Sequence, residues 1–389
     1  MAERLRIETV DSLAAVDEND WTRLAADRSL YLSYRWLRAV ERDSALETRY
    51  TLAWGSDGTL AAAMPSYLWG GVGGWTTSTY DVTWPVSKLL GDAGVRREEW
   101  FPTLLVGARA GYVNEPLALS VNGSSAVVAR SFEGARELGA RSTAAMYLTR
   151  RGADHVAETV EGVVTLLWGL GTSMDVEWDG FEGYLASLNA HRRSTVRRDL
   201  GRFSAGAATV TIEPLSQLVA EGARLAANVQ QRFGNADTTE SVEEYLGALA
   251  AEVDAESRVF TARRGSDLLG FGLAFEYERC LYMRLVGFDY ERMGDESLYF
   301  EVCYYAPIRY AAEHGLRRID FGAASHRPKL LRGARPSPRF VVVAAPEGCR
   351  QAVAAAVGGW NEGAFKWFSS EIEPLAGVLS RTEWLPSPN

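Results

Sequence analysis

Cysteine, lysine and histidine are all scarce in this chain of 389 residues. The cysteines are odd in number and widely spaced, with no CxxC pair, at Cys280, Cys303 and Cys349. This pattern argues against a disulfide framework or a zinc knuckle, and it is typical of a reducing compartment. The 4 histidines are scattered and form neither a metal-ligand cluster nor a Ser-His-Asp order, so we expect no metal and no other cofactor.

Long apolar runs are also lacking. The first residues, MAERLRIETVDSL, contain no apolar segment of the kind found in export signals. No later segment reaches the roughly 18 uninterrupted apolar residues that a membrane-spanning helix needs. We therefore expect a cytoplasmic protein that is neither exported nor embedded in a membrane.

Positive charge is in the minority, because the formal net charge is -9. This balance argues against broad, non-specific binding of polyanions, although it leaves room for a local basic groove. Lysine occurs only at Lys88, Lys329 and Lys366, while arginine is plentiful. Such an arginine bias is typical of a GC-rich genome, and it is the ground on which we suggest a role in antibiotic biosynthesis.

The length of the chain predicts two domains of similar size. A hydrophobic content of 47% and 12 tryptophans supply enough apolar surface for two cores. A seam falls near residues 172–179, which gives an N-terminal domain of residues 1–173 and a C-terminal domain of residues 174–389.

Alternating strand and helix patterns predict the α/β class in both halves. In the first half we expect a helix over Ser29–Asp43, and the glycine-rich WGGVGGW segment is better read as a plain loop than as a phosphate cradle, because it lacks the P-loop lysine. In the second half we predict a helix from about Ser297 to Glu313. Three antiparallel strands are predicted before it, at Arg258–Arg263, Leu268–Tyr277 and Cys280–Gly287.

An arginine-rich helix is predicted in FEGYLASLNAHRRSTVRRDLGRF. Residues four apart share a helix face, so Arg193 lies beside Arg197, and Arg198 lies beside Arg202. Two readings remain open. The arginines form either a solvated helix end that suits the helix dipole or a ridge that contacts phosphates.

A second basic stretch, DFGAASHRPKLLRGARPSPRF, follows a strand that we predict to be buried. It carries one lysine and four arginines between Asp320 and Phe340, and we predict that it forms a loop. This loop either holds an anionic or reacting group, or it is a basic surface segment without a ligand.

Three segments of the first half resemble the FemAB-like proteins of the GNAT acyltransferase superfamily, which are often labelled peptidoglycan biosynthesis or recognition proteins. The helix LYLSYRWLRAVERD is similar to the family's PF-x-S…FL-x-ALE segment. The block LAAAMPSYLWGGVGGWTTSTYDVTWP is similar to A-x-P-x-YLK…GEYVFDWAW, and Tyr80, Asp81 and Trp84 stand at the matching positions. The segment EEWFPTLLVGARAGYVNEPLAL parallels YYPKLLVAVPFTPVTGPRLL.

The most specific resemblance lies in the second basic stretch, where GAASHRPKLLRGARP is similar to the family's GAQGEHKLARGFxP. Counting back from Arg332 and Gly333, Lys329 falls on the family lysine. The preceding glutamine and GEH run are replaced, and the segment is one residue longer. His326 is therefore not equated with the family histidine, and it remains a substrate-binding candidate.

The resemblance covers most of the chain and implies two tandem GNAT-like domains, each a mixed, mostly antiparallel sheet flanked by helices. Relatives of this architecture take an aminoacyl group from aminoacyl-tRNA and form an amide on a small amine or a peptide. The expected partners are therefore the acceptor end of aminoacyl-tRNA and such an amine. An acyl-CoA-dependent N-acyltransferase and a non-catalytic GNAT-like binding module remain alternatives.

The donor is expected to be aminoacyl-tRNA because the segment YERMGDESLYFE is a poor pyrophosphate loop. It contains Arg292 and Gly294, but not at the spacing used by acyl-CoA enzymes of this fold. Asp295 and Glu296 would meet an anion at the start of the following helix and repel it.

The candidate site residues follow from the proposed transfer of an activated ester to an amine. Lys329 is the predicted stabiliser of the tetrahedral oxyanion. Tyr282 and Asp81 are further catalytic candidates, with Asp81 as a base or as a charge partner of the amine. Donor phosphates are assigned to Arg332, Arg335, Arg284, Arg193 and Arg197, and substrate binding to Tyr80, Trp84 and His326.

Overall fold

The computed structural model describes residues 4–42, 46–71, 96–109, 111–294, 297–323 and 325–387. The chain divides into two compact units, Met1–Leu170 with Pro338–Asn389, and Gly171–Ser337. The first boundary lies close to the expected seam. Residues 338–389, which sequence reasoning assigned to the second domain, belong to the first unit.

In the first unit, helices that begin at polar N-cap residues follow and connect the strands. Asp17 caps the first helix by accepting hydrogen bonds from the N–H groups of Asn19 and Asp20. The helix predicted over residues 29–43 is shorter, because Ser33 accepts from the N–H of Trp36 and starts a new helix there. The elements are β1 (Arg6–Val10), α1 (Glu18–Ala25), α2 (Tyr34–Glu41), β2 (Glu47–Trp54), β3 (Leu60–Trp69), β4 (Thr103–Val106), β5 (Leu117–Ala118), α3 (Val121–Glu137), β6 (Ser142–Leu148), α4 (Arg150–Thr159) and β7 (Val164–Asp175), which continues into the second unit.

The second unit contains the three antiparallel strands that the sequence predicts, together with more helices. The arginine-rich segment forms two helices, because Asn189 caps the second one through the N–H of Arg192. The elements are α5 (Gly180–Ser187), α6 (Ala190–Ala205), β8 (Thr209–Glu213), α7 (Val219–Arg232), α8 (Thr239–Val253), β9 (Ser257–Arg264), β10 (Asp267–Tyr277), β11 (Cys280–Phe288), α9 (Leu298–Phe300), a π-helix (Glu301–Tyr305), α10 (Ala306–Glu313), β12 (Arg318–Gly322) and α11 (His326–Leu331).

The chain returns to the first unit through β13 (Arg335–Ala344), followed by α12 (Arg350–Ala376) and α13 (Arg381–Trp384). Residues Phe340 to Ala344 of β13 pair antiparallel with β6. The long helix α12 is fixed to the first part of β7 by Asn361, whose side chain bonds the backbone of both Thr165 and Leu167. The pairing of β13 with β6 and the bonds from Asn361 to β7 are the physical reason why the C-terminal residues belong to the first unit.

Both units confirm the predicted α/β class with mixed, mostly antiparallel sheets. In the first unit the strand order is β1-β2-β3-β4-β6-β13, and β4 with β6 is the parallel pair. In the second unit the order is β7-β12-β11-β10-β9-β8, and β11 with β12 is the parallel pair. The core of the second unit lies between this sheet and the aromatic residues of the π-helix.

The close packing of α7 on β11 leads to a stability prediction at Gly287. A Cβ atom at this position would contact the ring of Phe271 and lie 2.8 Å from the backbone nitrogen of Ala226. Because backbone atoms cannot yield easily, we expect Gly287→Ala to reduce the free energy of unfolding by about 1–3 kcal/mol. Chemical denaturation measures this change. The control is Gly201→Ala on α6, where a Cβ meets nothing within 4 Å, and which we expect to be neutral or mildly stabilising. Equal stability of the two variants would contradict the packing argument.

Candidate functional site

The second basic stretch, residues 320–340, is not the single loop that the sequence predicts. It contains the end of β12, the short helix α11 and the start of β13. Because α11 turns its last residues toward the core, Lys329 and Arg332 are buried. Arg327 and Arg335 remain exposed.

The parallel strands β11 and β12 are paired only from Cys280–Arg318 to Tyr282–Asp320. On its other side, β12 shifts register against β7 between Asp320 and Gly322, so that Phe321 is an extra residue. The side chain of Thr172 donates a hydrogen bond of 2.8 Å to the carbonyl of Gly322. On the side of β11, the backbone at the end of β12 is thus no longer part of a strand ladder, whereas its pairing with β7 continues to Gly322.

Lys329 secures this same strand end. Its Nζ donates to the carbonyl of Phe321 at 2.6 Å and lies 3.5 Å from the carbonyl of Gly322. Burial lowers the pKa of Lys329 to about 8, although the negative charge of Asp320 acts in the opposite direction. The residue that the resemblance singles out is therefore a buried amine whose charge changes near pH 8.

Arg332 forms a buried ion pair. Its guanidinium donates to the Asp199 carboxylate at 2.6 Å and to the Tyr305 hydroxyl at 3.0 Å, and it lies 3.7 Å above the Phe300 ring. Tyr305 also donates to Asp199 at 2.7 Å, which closes the triangle. Since its guanidinium is engaged inside the unit, Arg332 is better suited to positioning α11 against α6 than to the phosphate contact predicted from sequence.

A π-helix interrupts the single helix that the sequence predicts before β12. Its five residues bring Tyr305 to Asp199 and place Glu301 in the core, where that carboxylate is 3% exposed. One oxygen of Glu301 accepts from Arg309, whereas its Oε2 is buried with no hydrogen-bond partner among the described residues. Short π-helical insertions recur at functional sites, which fits the position of this one beside Arg332.

Two of the remaining site candidates lie on β11. Tyr282 is buried and stands opposite Asp320 of β12. Arg284 donates to the hydroxyl of Tyr245 at 2.9 Å. The pairing of β10 with β11 shifts at this point, from Leu273–Leu285 to Ala274–Met283, so Arg284 is an extra residue and the regular alternation of side chains along β11 is interrupted there.

The other predicted residues are dispersed. Arg193 is half-buried and Arg197 exposed on α6, and His326 is half-buried at the start of α11. Three further candidates lie outside the described residues, namely Tyr80, Asp81 and Trp84. The structure therefore brings together Lys329, Arg332 and the end of β12, and it leaves Arg335 and Arg197 on the surface.

The loop after β11 is the position of the predicted poor pyrophosphate loop. Asp289, which is 7% exposed, organises its first residues. The N–H of Arg292 donates to the Asp289 carboxylate at 3.2 Å, and the N–H of Met293 donates to the Asp289 carbonyl at 2.9 Å. The N–H groups of Arg292 and Met293 are thus engaged with Asp289, through its carboxylate and its backbone carbonyl respectively. Asp295 and Glu296 lie outside the described residues.

Sequence reasoning missed the acidic partners of this site. Asp199 sits three residues after the buried Val196 on α6, and that spacing places it on the inward face of an otherwise basic helix. This spacing could have been recognised in the sequence. Glu301 and Asp289 carried no such signal, because their burial depends on the π-helix and on the turn after β11.

Two units, each with a mixed, mostly antiparallel sheet that contains one parallel strand pair, form a tandem GNAT-type fold. The chain belongs to the FemAB-like family, described as peptidoglycan biosynthesis and recognition, whose model matches residues 12–358. Membership of this family supports an acyltransferase-type protein. The prediction of the family is thereby confirmed.

Solved structures show the same fold at low sequence identity. FemX is 13% identical with a TM-score of 0.57, covering 86% of this chain and 96% of FemX. The C-terminal domain of a putative lysylphosphatidylglycerol synthetase from Agrobacterium fabrum is 13% identical with a TM-score of 0.54, covering 88% and 96%. A tandem GNAT protein from the clavulanic acid biosynthesis pathway is 13% identical with a TM-score of 0.51, covering 88% and 98%.

A comparison with curated protein sequences finds no match. Among the residues that the structure describes, no helix has the length and apolar character required to cross a membrane.

Proposed function

We propose that this chain is an amide-forming aminoacyltransferase that moves an aminoacyl group from aminoacyl-tRNA to the amine of a small molecule or peptide. Family membership supports the acyl transfer. The observation that carries the choice of donor is the loop after β11, where Asp289 engages the N–H groups of Arg292 and Met293. The reaction belongs to the cytoplasm, where aminoacyl-tRNA is available.

An acyl-CoA donor needs free N–H groups for its pyrophosphate at the start of the helix after this strand. Here the buried carboxylate of Asp289 already accepts from the loop, and it adds negative charge where two phosphates would have to sit. Arg224, whose guanidinium lies 3.6 Å from that carboxylate, offsets part of this charge. The arrangement disfavours pyrophosphate and supports a donor whose acyl group is already activated as a ribose ester.

The proposed chemistry is aminolysis of an ester. The neutral amine nitrogen of the acceptor attacks the aminoacyl carbonyl carbon, and the carbonyl oxygen becomes a tetrahedral oxyanion. Collapse of this intermediate forms the amide, breaks the bond to the ribose oxygen, and transfers the amine proton to that oxygen. The protein supplies no covalent nucleophile.

Lys329 provides a fixed positive charge for the oxyanion. The carbonyls at the end of β12 hold its ammonium group in place, so the charge needs little reorganisation during the reaction. Because the surroundings are buried, the electrostatic effect of this charge is stronger than it would be in water. The exposed Arg335, with Arg193 and Arg197 on α6, remains a candidate contact for donor phosphates.

The donor is tested by comparing aminoacyl-tRNA and acetyl-CoA with the same purified protein. We expect saturable binding of aminoacyl-tRNA that weakens steeply with added salt, and loss of the aminoacyl ester in the presence of an amine mixture. We expect no measurable binding of acetyl-CoA by calorimetry. Uncharged tRNA and a deacylated mock reaction serve as controls for ester loss.

Other results decide between the alternatives. Tight binding of acetyl-CoA without affinity for tRNA would overturn the donor assignment in favour of an N-acyltransferase. Binding of ligand without turnover of either donor would support a non-catalytic module.

A further inference from the structure

The surface beside the loop after β11 combines exposed aromatic side chains with arginines, in a chain whose net charge is -9. Phe233, at the end of α7, is 71% exposed, and Tyr290, just after β11, is 38% exposed. The guanidinium of Arg232 lies 4.5 Å from the centre of the Tyr290 ring. Arg232 therefore covers one exposed aromatic ring, and Phe233, the next residue in the chain, places a second exposed ring at the end of α7.

The helix α7 extends this surface along one face. Arg224, Asn228 and Arg232 are four residues apart, so they form a row over the end of β11. Asn228 donates to the carbonyl of Phe288 at 3.5 Å, which fixes the row against the strand. The side chain of Arg224 is 51% exposed, and Arg232 is also exposed, so both can contact a bound anion.

We propose that this surface, here called the α7 platform and formed by Arg224, Asn228, Arg232, Phe233 and Tyr290, binds the single-stranded 3′ end of the RNA donor. Bases stack on the two aromatic rings while the arginine row follows the phosphates. Single-stranded nucleic acids are bound by this combination of stacking surfaces and a cationic track. The inference rests on the proposed function, because it names where the RNA of that donor lies.

The charges around the platform suit a strand that approaches along α7. Asp289 is buried and bonded within its loop, and Arg224 lies beside its carboxylate. Glu291 is exposed next to Tyr290, and Arg292 lies 3.8 Å from the carboxylate of Asp267. Because Asp289 engages part of the charge of Arg224, phosphates are favoured beside Arg232, on the α7 side of Tyr290 rather than on the side of Glu291.

The test is fluorescence anisotropy with a labelled single-stranded RNA of about a dozen nucleotides and with uncharged tRNA, across a salt series. Because base stacking on an aromatic side chain is worth about 1–3 kcal/mol, we expect Phe233→Ala to weaken binding roughly 5- to 150-fold without changing the salt dependence. We expect Arg224→Ala and Arg232→Ala each to reduce the slope of log K against log salt by about 0.7.

Matched controls separate the platform from general surface effects. Arg23→Ala removes an arginine of α1 whose side chain is also 51% exposed, and Trp367→Ala removes an aromatic residue that is 52% exposed on α12. Both are expected to leave RNA binding unchanged. Circular dichroism and thermal unfolding verify that every variant is folded.

The outcomes distinguish the two proposals. RNA binding by the wild type that Phe233→Ala and the arginine variants leave intact would overturn the platform while the donor assignment stands. Absence of RNA binding by the wild type would overturn the donor assignment as well. Phe233-dependent binding to anionic lipid vesicles in place of RNA would assign the surface to a membrane and also contradict the proposal.

Discussion

Replacing Lys329 with methionine is expected to reduce turnover of the aminoacyl ester by about 10²- to 10³-fold, the loss that follows removal of one oxyanion-stabilising group. Methionine fills a similar volume but carries no charge, so it separates the role of the ammonium group from that of packing. Single-turnover ester loss with aminoacyl-tRNA measures the effect. Lys366→Met on the exposed face of α12 is the matched lysine control, and we expect it to retain full activity.

The pKa of Lys329 gives this prediction a pH dependence. Because burial lowers the pKa to about 8, the wild-type rate is expected to decline as the pH rises through that value. Lys329→Arg keeps the positive charge, since an arginine stays protonated over the whole range, so any residual activity of this variant should not decline there. A wild-type decline near pH 8 that persists in Lys329→Arg would contradict the role of this amine.

The same pKa affects stability in the opposite sense. The folded pKa lies below the ordinary lysine pKa of 10.5 that applies to the unfolded chain. Between about pH 8 and 10.5 the unfolded chain therefore binds more protons at this residue, and the contribution of Lys329 to stability rises with pH.

Retained activity of Lys329→Met, with unchanged pH dependence, would leave Lys329 as a purely structural residue.

Replacing Asp199 with asparagine is expected to lower the free energy of unfolding by about 3–5 kcal/mol, because it leaves the buried guanidinium of Arg332 without its counter-charge. Both side chains of this ion pair are about 5% exposed or less, with a separation of 2.6 Å. Urea denaturation followed by tryptophan fluorescence measures the change. The control is Asp175→Asn, whose partner Arg318 lies 3.7 Å away on the surface, and which we expect to cost less than about 1 kcal/mol.

A double variant distinguishes pairing from packing at this position. Asp199→Leu with Arg332→Met removes both charges and keeps apolar volume, so much of the stability lost in Asp199→Asn should return. If the stability lost in the double variant equals the sum of the losses in Asp199→Leu and Arg332→Met, the pairing of the two charges contributes little.

The strands of the second unit were predictable because their hydrophobic pattern is local. β9, β10 and β11 begin and end within one residue of the predicted bounds. The π-helix was not predictable, since the same aromatic residues suit a regular helix and the insertion is decided by packing against β10, where Val302 lies close to Gly272. The basic stretch was read as a loop because its proline and glycine content conceals the six residues of α11.

By itself the sequence determined the family and the α/β class, because these depend on motifs and on local periodicity, and it predicted a role for Lys329. Only the tertiary structure decided that Lys329 and Arg332 are buried, that Asp199 neutralises Arg332, and that the C-terminal residues join the first unit. The helical spacing of Val196 and Asp199 indicates that Asp199 faces inward, but its partner Arg332 lies 133 residues away in the chain, and only the tertiary structure brings the two together.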